Sequence, residues 1–146
     1  MFDLARYLPY LINRTGAKLA LAFAGELARF GVTLQEWRVL AALAQNDGQR
    51  LSDLATLTSI DVSTLSRLVQ RMRRKGLVAR ARANGDGRAV RLTLTEAGRR
   101  RTRAIIPEAR RYEQLAIGRI TPGEAARLKR LLVRVYANLE AMNGQP

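Results

Sequence analysis

The chain of 146 residues carries 26 Lys and Arg against 12 Asp and Glu, a net charge of +14, on a composition that is 47% apolar. Such a length and apolar content suit one domain or two small lobes sharing a core and exclude wholesale disorder. The charge exceeds what solubility requires and points to a polyanionic partner, with nucleic acid ahead of a membrane surface. With no Cys and no His, disulfides, thiol sensing, Cys/His zinc sites and histidine acid–base chemistry are excluded. The acids are scattered without a paired-carboxylate cluster, so no catalytic site, metal or cofactor is expected. No apolar run reaches bilayer length, and MFDLARYLPY has an early acid and no signal-peptide layout, so a soluble cytoplasmic protein without membrane contact is expected.

Residues 4–30 place Leu4, Tyr7, Leu8, Leu11, Ile12, Leu19, Ala22, Phe23, Leu27 and Phe30 at three- and four-residue spacing, which predicts a helix. Pro9 and Gly16 interrupt it, with a kink or a late start at Pro9, and Gly31 ends it. Thr33 and Glu36 then form a capping box, and Val32 can staple to Trp37. This second helix carries Trp37, Leu40, Ala41 and Ala44 and stops near Gly48. Ser52 is read as the cap of a short helix, LSDLATL, which Thr58-Ser59-Ile60 breaks. Asp61 caps the next helix, with Ile60 able to staple to Leu65; it runs to Lys75, with Gly76 as C-cap.

Strand-like residues 77–82 and 88–94 flank an Asn84–Gly87 turn and predict a hairpin. Thr95 caps a long helix interrupted by Pro107, which either kinks it or is a tolerated bend. Thr121-Pro122-Gly123-Glu124 opens the last helix with an N-cap, a first-turn proline and a capping-box glutamate. Its apolar positions are Ala125, Leu128, Leu132, Val135, Tyr136 and Leu139.

A short helix, a three-residue turn, a second helix and a hairpin follow the order of a winged helix-turn-helix. The second of these helices carries the functional reading. At about 100° per residue, Leu65, Leu68, Val69 and Met72 share one face, and Ser63, Arg67, Gln70 and Arg74 lie opposite. Thr64 and Arg71 flank that stripe on one side, Ser66 and Arg73 on the other. Hydroxyls, an amide and arginines are the side chains that meet base edges and phosphates in a major groove. No acid follows Asp61 on this front, which sets it apart from an ordinary polar surface. In the hairpin, Arg88 follows the turn, where an arginine can reach an adjacent minor groove. Asp86 either orients an arginine or is only a turn former. Arg99, Arg100, Arg101 and Arg103 in the next helix either touch flanking phosphates or form a solvated face.

The stretch DGRAVRLTLTEAG resembles the D-x-R…L-T-x-x-G signature of the MarR family of bacterial transcriptional regulators, and LSDLATLTSIDVSTLSRLVQRMRRKGLVAR and VTLQEWRVLAAL are similar to that family too. The resemblance implies a mainly α fold with a small β-hairpin wing. In it the helices of residues 1–31 and 95–146 form a dimerisation lobe and residues 32–94 the DNA-binding lobe. It implies a homodimer on pseudo-palindromic operator DNA, usually a repressor, released by a small aromatic or anionic effector. On the matching positions, Asp86 and Arg88 become the functional pair of the wing, and Ser63, Thr64 and Arg67 face the groove. Many members carry a second arginine where this chain has Gly87, and the redox-sensing branch is excluded by the lack of cysteine. Effectors in the family lodge between the two lobes, which makes Tyr10, Arg14 and Trp37 candidate lining residues with Arg14 as the anion partner; core packing is the competing role for Trp37. The DNA-binding set is therefore Ser63, Thr64, Ser66, Arg67, Gln70, Arg71, Arg74, Asp86 and Arg88. A non-specific architectural DNA- or RNA-binding protein is the alternative, and an enzyme is not expected.

Overall fold

The computed structural model describes residues 1–82 and 90–143. A single 3-10 turn, Leu4–Arg6, is capped by the Asp3 carboxylate, which accepts the Ala5 amide at 2.9 Å. Tyr7 is extended, and helix α1 (Leu8–Ala28) starts after it with Pro9 in its first turn. The helix thus has the late start expected at Pro9, and residues 4–6 form a separate turn. Running it back to Leu4 would place Pro9 in the interior, where its ring clashes with the Ala5 carbonyl, whereas in the first turn its missing N–H costs nothing. Gly16 does not interrupt α1. An interior glycine costs about 1 kcal/mol relative to alanine, which a helix of 21 residues absorbs.

Helix α2 (Leu34–Gln45) has the expected capping box: Thr33 Oγ1 accepts the Glu36 amide at 3.2 Å, and the Thr33 amide donates to Glu36 Oε2 at 2.9 Å. Its buried residues are Glu36, Val39, Leu40, Ala42 and Leu43. Ala44 is exposed and Trp37 half-buried, so the inward face is rotated from the expected Trp37–Ala44 stripe.

Helix α3 (Leu51–Thr58) is not capped by Ser52. Its N-cap is Arg50, without a side-chain cap bond. The cause lies just upstream: Gln49 pairs with Leu92 in an isolated bridge, with the Leu92 amide 2.8 Å from the Gln49 carbonyl. That pairing holds the chain extended to Arg50, and the helix begins directly after it. Ser59, at φ 54°, ends α3 in the left-handed region.

Helix α4 (Val62–Arg74) runs from its Asp61 cap to Lys75, and Gly76 turns the chain at φ +68°. Strands β1 (Val78–Arg82) and β2 (Val90–Leu94) pair antiparallel, Val78 opposite Leu94 and Arg80 opposite Leu92. The Asn84–Gly87 turn and positions 88 and 89 lie outside the described residues.

Helix α5 (Glu96–Ile117) passes through Pro107 without a break, against the expected interruption. Proline forfeits one main-chain hydrogen bond, to the Arg103 carbonyl. Pro107 is exposed, so water can reach the freed group, while Thr102 and Ile105, earlier in the helix, are buried. Helix α6 (Pro122–Asn143) opens with the expected box, the Thr121 amide 2.9 Å from Glu124 Oε2 and the Glu124 amide 3.3 Å from Thr121 Oγ1.

The chain divides into two compact units, Met1–Arg110 and Arg111–Pro146. The core of the first gathers Leu27, Leu40, Leu43, Leu54, Leu65, Leu68, Met72 and Ile105, all fully buried. Among the described residues of the second, Ala125 is the one buried apolar side chain.

Candidate nucleic-acid interface

Helix α4 presents two chemically opposite faces. Leu65, Leu68, Val69 and Met72 are 0% exposed and anchor its back in the core. Ser63, Arg67, Gln70, Arg71, Arg73 and Arg74 are exposed, with Thr64 and Ser66 half-buried on the flanks. All the site residues expected on α4 therefore reach solvent from one rigid element. Arg73, left on a flank by the sequence reading, joins Gln70 and Arg74 around a shallow concavity of about 330 Å³.

The N-terminus of α4 carries the one acid. Asp61 Oδ1 accepts the Thr64 amide at 2.8 Å and the Ser63 hydroxyl at 2.6 Å. The Ser63 hydroxyl first, then the Thr64 hydroxyl and amide, hold the Asp61 carboxyl well below the usual carboxylate range. The charge is also favourable against the helix dipole, as are Arg71, Arg73 and Arg74 in the last turn. One consequence bears on readout: the Ser63 proton is committed to Asp61, which leaves its oxygen to act as an acceptor.

The base of the hairpin is fixed to the α2–α3 connection. Asp47 Oδ1 accepts the Leu94 amide at 3.0 Å, and Arg91 Nη1 donates to the Gly48 carbonyl at 2.8 Å. Arg80, on β1, is exposed. Asp86 and Arg88, the expected pair of the wing, lie outside the described residues.

The arginine run of α5 is engaged within the chain. Arg99 Nη2 reaches Asp47 Oδ2 at 2.6 Å, Arg101 donates to the Phe30 carbonyl, and Arg100 and Arg103 approach Glu96 at 3.7 and 3.4 Å. The sequence shows the run but not its partners, which lie up to 71 positions away.

Of the expected effector residues, Tyr10 and Arg14 meet: the guanidinium carbon stands 5.3 Å from the ring centroid, one helical turn apart in sequence. Trp37 packs edge-on against Phe23 at 6.2 Å. Phe23 lies about 20 Å along α1 from Tyr10 at 1.5 Å per residue. Trp37 instead borders a concavity of about 450 Å³ with Arg38, Ala41, Gln45, Leu57 and Ser59, into which neither Tyr10 nor Arg14 enters. Among the described residues there is no group of three or more acidic, Cys or His side chains that could hold a metal ion.

A helix-turn-helix with a hairpin behind it and a basic, acid-free helix front defines a DNA-binding protein of the winged-helix class. Comparison with known proteins agrees. The MarR family profile matches residues 30–89. The HTH-type transcriptional repressor IacR of Pseudomonas putida is 30% identical over 116 residues, covering 80% of this chain and 70% of IacR. A MarR-family transcriptional regulator from Silicibacter pomeroyi superposes with a TM-score of 0.81 at 30% identity, over 93% of this chain and 92% of that one. Bordetella bronchiseptica BpsR, described by a mechanism for regulation of its DNA binding by 6-hydroxynicotinic acid, gives 0.79 at 26% identity, over 88% and 98%. The chain belongs to the MarR family and is a DNA-binding transcription regulator of the winged-helix type, not an enzyme.

Proposed function

We propose that the chain is a sequence-specific repressor that binds a pseudo-palindromic operator as a homodimer in the cytoplasm and releases it on binding a small aromatic or anionic effector. The observation that carries this reading is α4: four fully buried apolar residues fix its back, and its front offers hydroxyls, an amide and arginines without a competing acid after Asp61. In this reading, phosphate neutralisation by the excess of Lys and Arg supplies affinity, and the front supplies sequence choice.

Residues 32–94 serve as the DNA-binding lobe, and residues 1–31 and 95–146 as the dimerisation helices. Support for the dimer comes from apolar side chains that the single chain leaves exposed: Leu4, Leu8 and Leu11 near the N-terminus, and Leu128, Leu132, Tyr136 and Leu139 on α6. Large exposed apolar surfaces on small proteins mark interaction sites. No helix among the described residues is long and apolar enough to cross a membrane. The aromatic or anionic effector class rests on the Arg14–Tyr10 pair, on the Trp37 concavity and on the likeness to BpsR.

The test is a titration of a duplex selected by the protein from a random pool, against a scrambled duplex of the same composition and in excess competitor. Selective binding that survives competitor supports operator recognition. Equal binding of both duplexes, abolished by competitor, assigns the chain to the charge-driven architectural class.

A further inference from the structure

Lys75, the residue that ends α4, is tied to a carboxylate that no DNA can touch. Glu36 is 1% exposed. Its Oε1 and Oε2 accept Lys75 Nζ at 2.8 and 2.9 Å, and Oε2 also accepts the Thr33 amide at 2.9 Å. The same ammonium donates to the Gly31 carbonyl at 3.2 Å. Next to it, Arg101 of α5 holds the Phe30 carbonyl. The α1–α2 corner thus grips the C-terminal end of α4 and the start of α5 through two cations.

The rest of the α4 anchorage is apolar. Leu65, Leu68, Val69 and Met72 resist extraction from the core, but hydrophobic contact is non-directional and leaves roll and tilt weakly specified. Charge-assisted hydrogen bonds are short and directional. Stability alone is a poor reason for burying Glu36, since well-packed apolar residues commonly do as well as or better than a buried ion pair.

We propose that Glu36 is a positioning residue for DNA reading: through Lys75 it fixes the tilt and axial register of α4, so that the Ser63–Arg74 front meets base edges at hydrogen-bonding distance. The lever is long. Ser63 lies about 18 Å along the helix axis from Lys75, so a tilt of roughly 3° about that end moves it by about 1 Å, from a good hydrogen bond to none. Phosphate contacts made by flexible arginines tolerate such a shift. Losing the pair therefore removes discrimination between sequences before it removes affinity. This inference rests on the reading of α4 as the base-reading helix.

The full-length chain is tested as Glu36→Gln, as Lys75→Met and as the double variant Glu36→Met with Lys75→Met. Each is titrated against the pool-selected and scrambled duplexes, with urea unfolding alongside. Glu36→Gln keeps the side-chain shape and removes no positive charge. It is expected to lower the ratio of the two affinities at least about thirtyfold, the scale of one lost base contact in each subunit's half-site, with scrambled-duplex affinity within about twofold and the salt slope unchanged. The double variant, which leaves no unpaired charge, is expected to recover stability but not discrimination. Discrimination that returns with stability in the double variant, or a wild-type ratio in Glu36→Gln, overturns the positioning role and leaves the pair purely structural. A wild-type protein that binds both duplexes equally overturns the operator reading and this inference together, whereas a discriminating wild type with unchanged variants overturns this inference alone. If Lys75→Met fails to fold, Glu36→Gln and the double variant still decide the question.

Discussion

A Cβ added at Gly98 would stand 2.0 Å from the Leu77 carbonyl oxygen and 3.0 Å from the carbonyl carbon. The reason for this closeness is the start of α5. Thr95 Oγ1 accepts the Gly98 amide at 2.9 Å and donates to the Gly76 carbonyl at 2.5 Å, while the Thr95 amide donates to the Leu77 carbonyl at 3.1 Å. Threonine caps the helix, and a glycine three residues on lets that helix pass directly over the chain entering β1. The L-T-x-x-G spacing thereby has a physical explanation in this protein.

Gly98→Ala is therefore expected to destabilise by about 3 kcal/mol, the upper range for overpacking, because the clash is with backbone and not with a flexible side chain. At Gly123, in the first turn of α6, an added Cβ would meet nothing within 4 Å, and Gly123→Ala is expected to gain up to about 1 kcal/mol. Urea unfolding of both variants checks the contrast; a Gly98→Ala protein as stable as the wild type would contradict the packing account.

The arginines are expected to fail in three different ways. Arg67→Ala, on the exposed front of α4, should cost about 1–3 kcal/mol on the selected duplex and relax base preference at one position per half-site. Arg88→Ala should weaken binding broadly and reduce the salt slope by roughly one unit for each phosphate lost. Arg99→Ala should leave the salt slope alone and cost at most about 1 kcal/mol of stability, since its ion pair with Asp47 is partly solvent-exposed. Anisotropy titrations over a salt series, with unfolding curves, separate the three.

Asp61 contributes to the response to acid, as does Glu124, whose carboxyl the Thr121 amide and hydroxyl hold below its ordinary value. The folded-state pKa of Asp61 lies below the ordinary value of 3.8 because the Ser63 and Thr64 donors stabilise the carboxylate. A depressed pKa means that the folded protein binds fewer protons than the unfolded chain, so the cap contributes fully above pH 3.8 and is lost as pH falls further. Asp61→Ala should be less stable than the wild type at neutral pH, and the two unfolding curves should converge on strong acidification. A difference that stays constant down to the acid limit would sink this assignment.

Assembly is expected to depend on the exposed face of α6. Leu132→Glu and Leu139→Glu place charges on positions that are 42% and 52% exposed in the single chain, so a lone folded chain should tolerate them. Sedimentation should show a wild-type dimer at micromolar concentration and monomeric variants with lost operator affinity, the paired recognition helices of the dimer standing about 34 Å apart. Dimeric variants with intact binding would place the interface elsewhere.

An aromatic carboxylate such as benzoate is expected to weaken duplex binding and to raise stability, by roughly 2.7 kcal/mol at a hundred times its dissociation constant. Trp37→Ala and Arg14→Ala separate the two places where such an anion could sit, because the Arg14–Tyr10 pair and the Trp37 concavity share no lining residue. The variant that keeps the wild-type response excludes its own residue.

Local chemistry in the sequence determined much of this protein. Thr33 with Glu36, Asp61, and Thr121 with Glu124 announce helix starts because a cap and its acceptor sit within three residues of each other. The two-faced character of α4 was equally legible, since helical period alone sorts Leu65, Leu68, Val69 and Met72 from Ser63, Arg67, Gln70 and Arg74. What only the tertiary structure decided are relationships across long stretches of chain. Gln49 bridging Leu92 moved the start of α3 ahead of Ser52; Lys75 found Glu36, and Arg99 and Arg101 found Asp47 and the Phe30 carbonyl. No pattern in the sequence separates an arginine that meets a partner inside the fold from one that faces solvent. The choice depends on which acceptors folding brings within hydrogen-bonding reach, and those acceptors, often main-chain carbonyls, carry no residue-type signal.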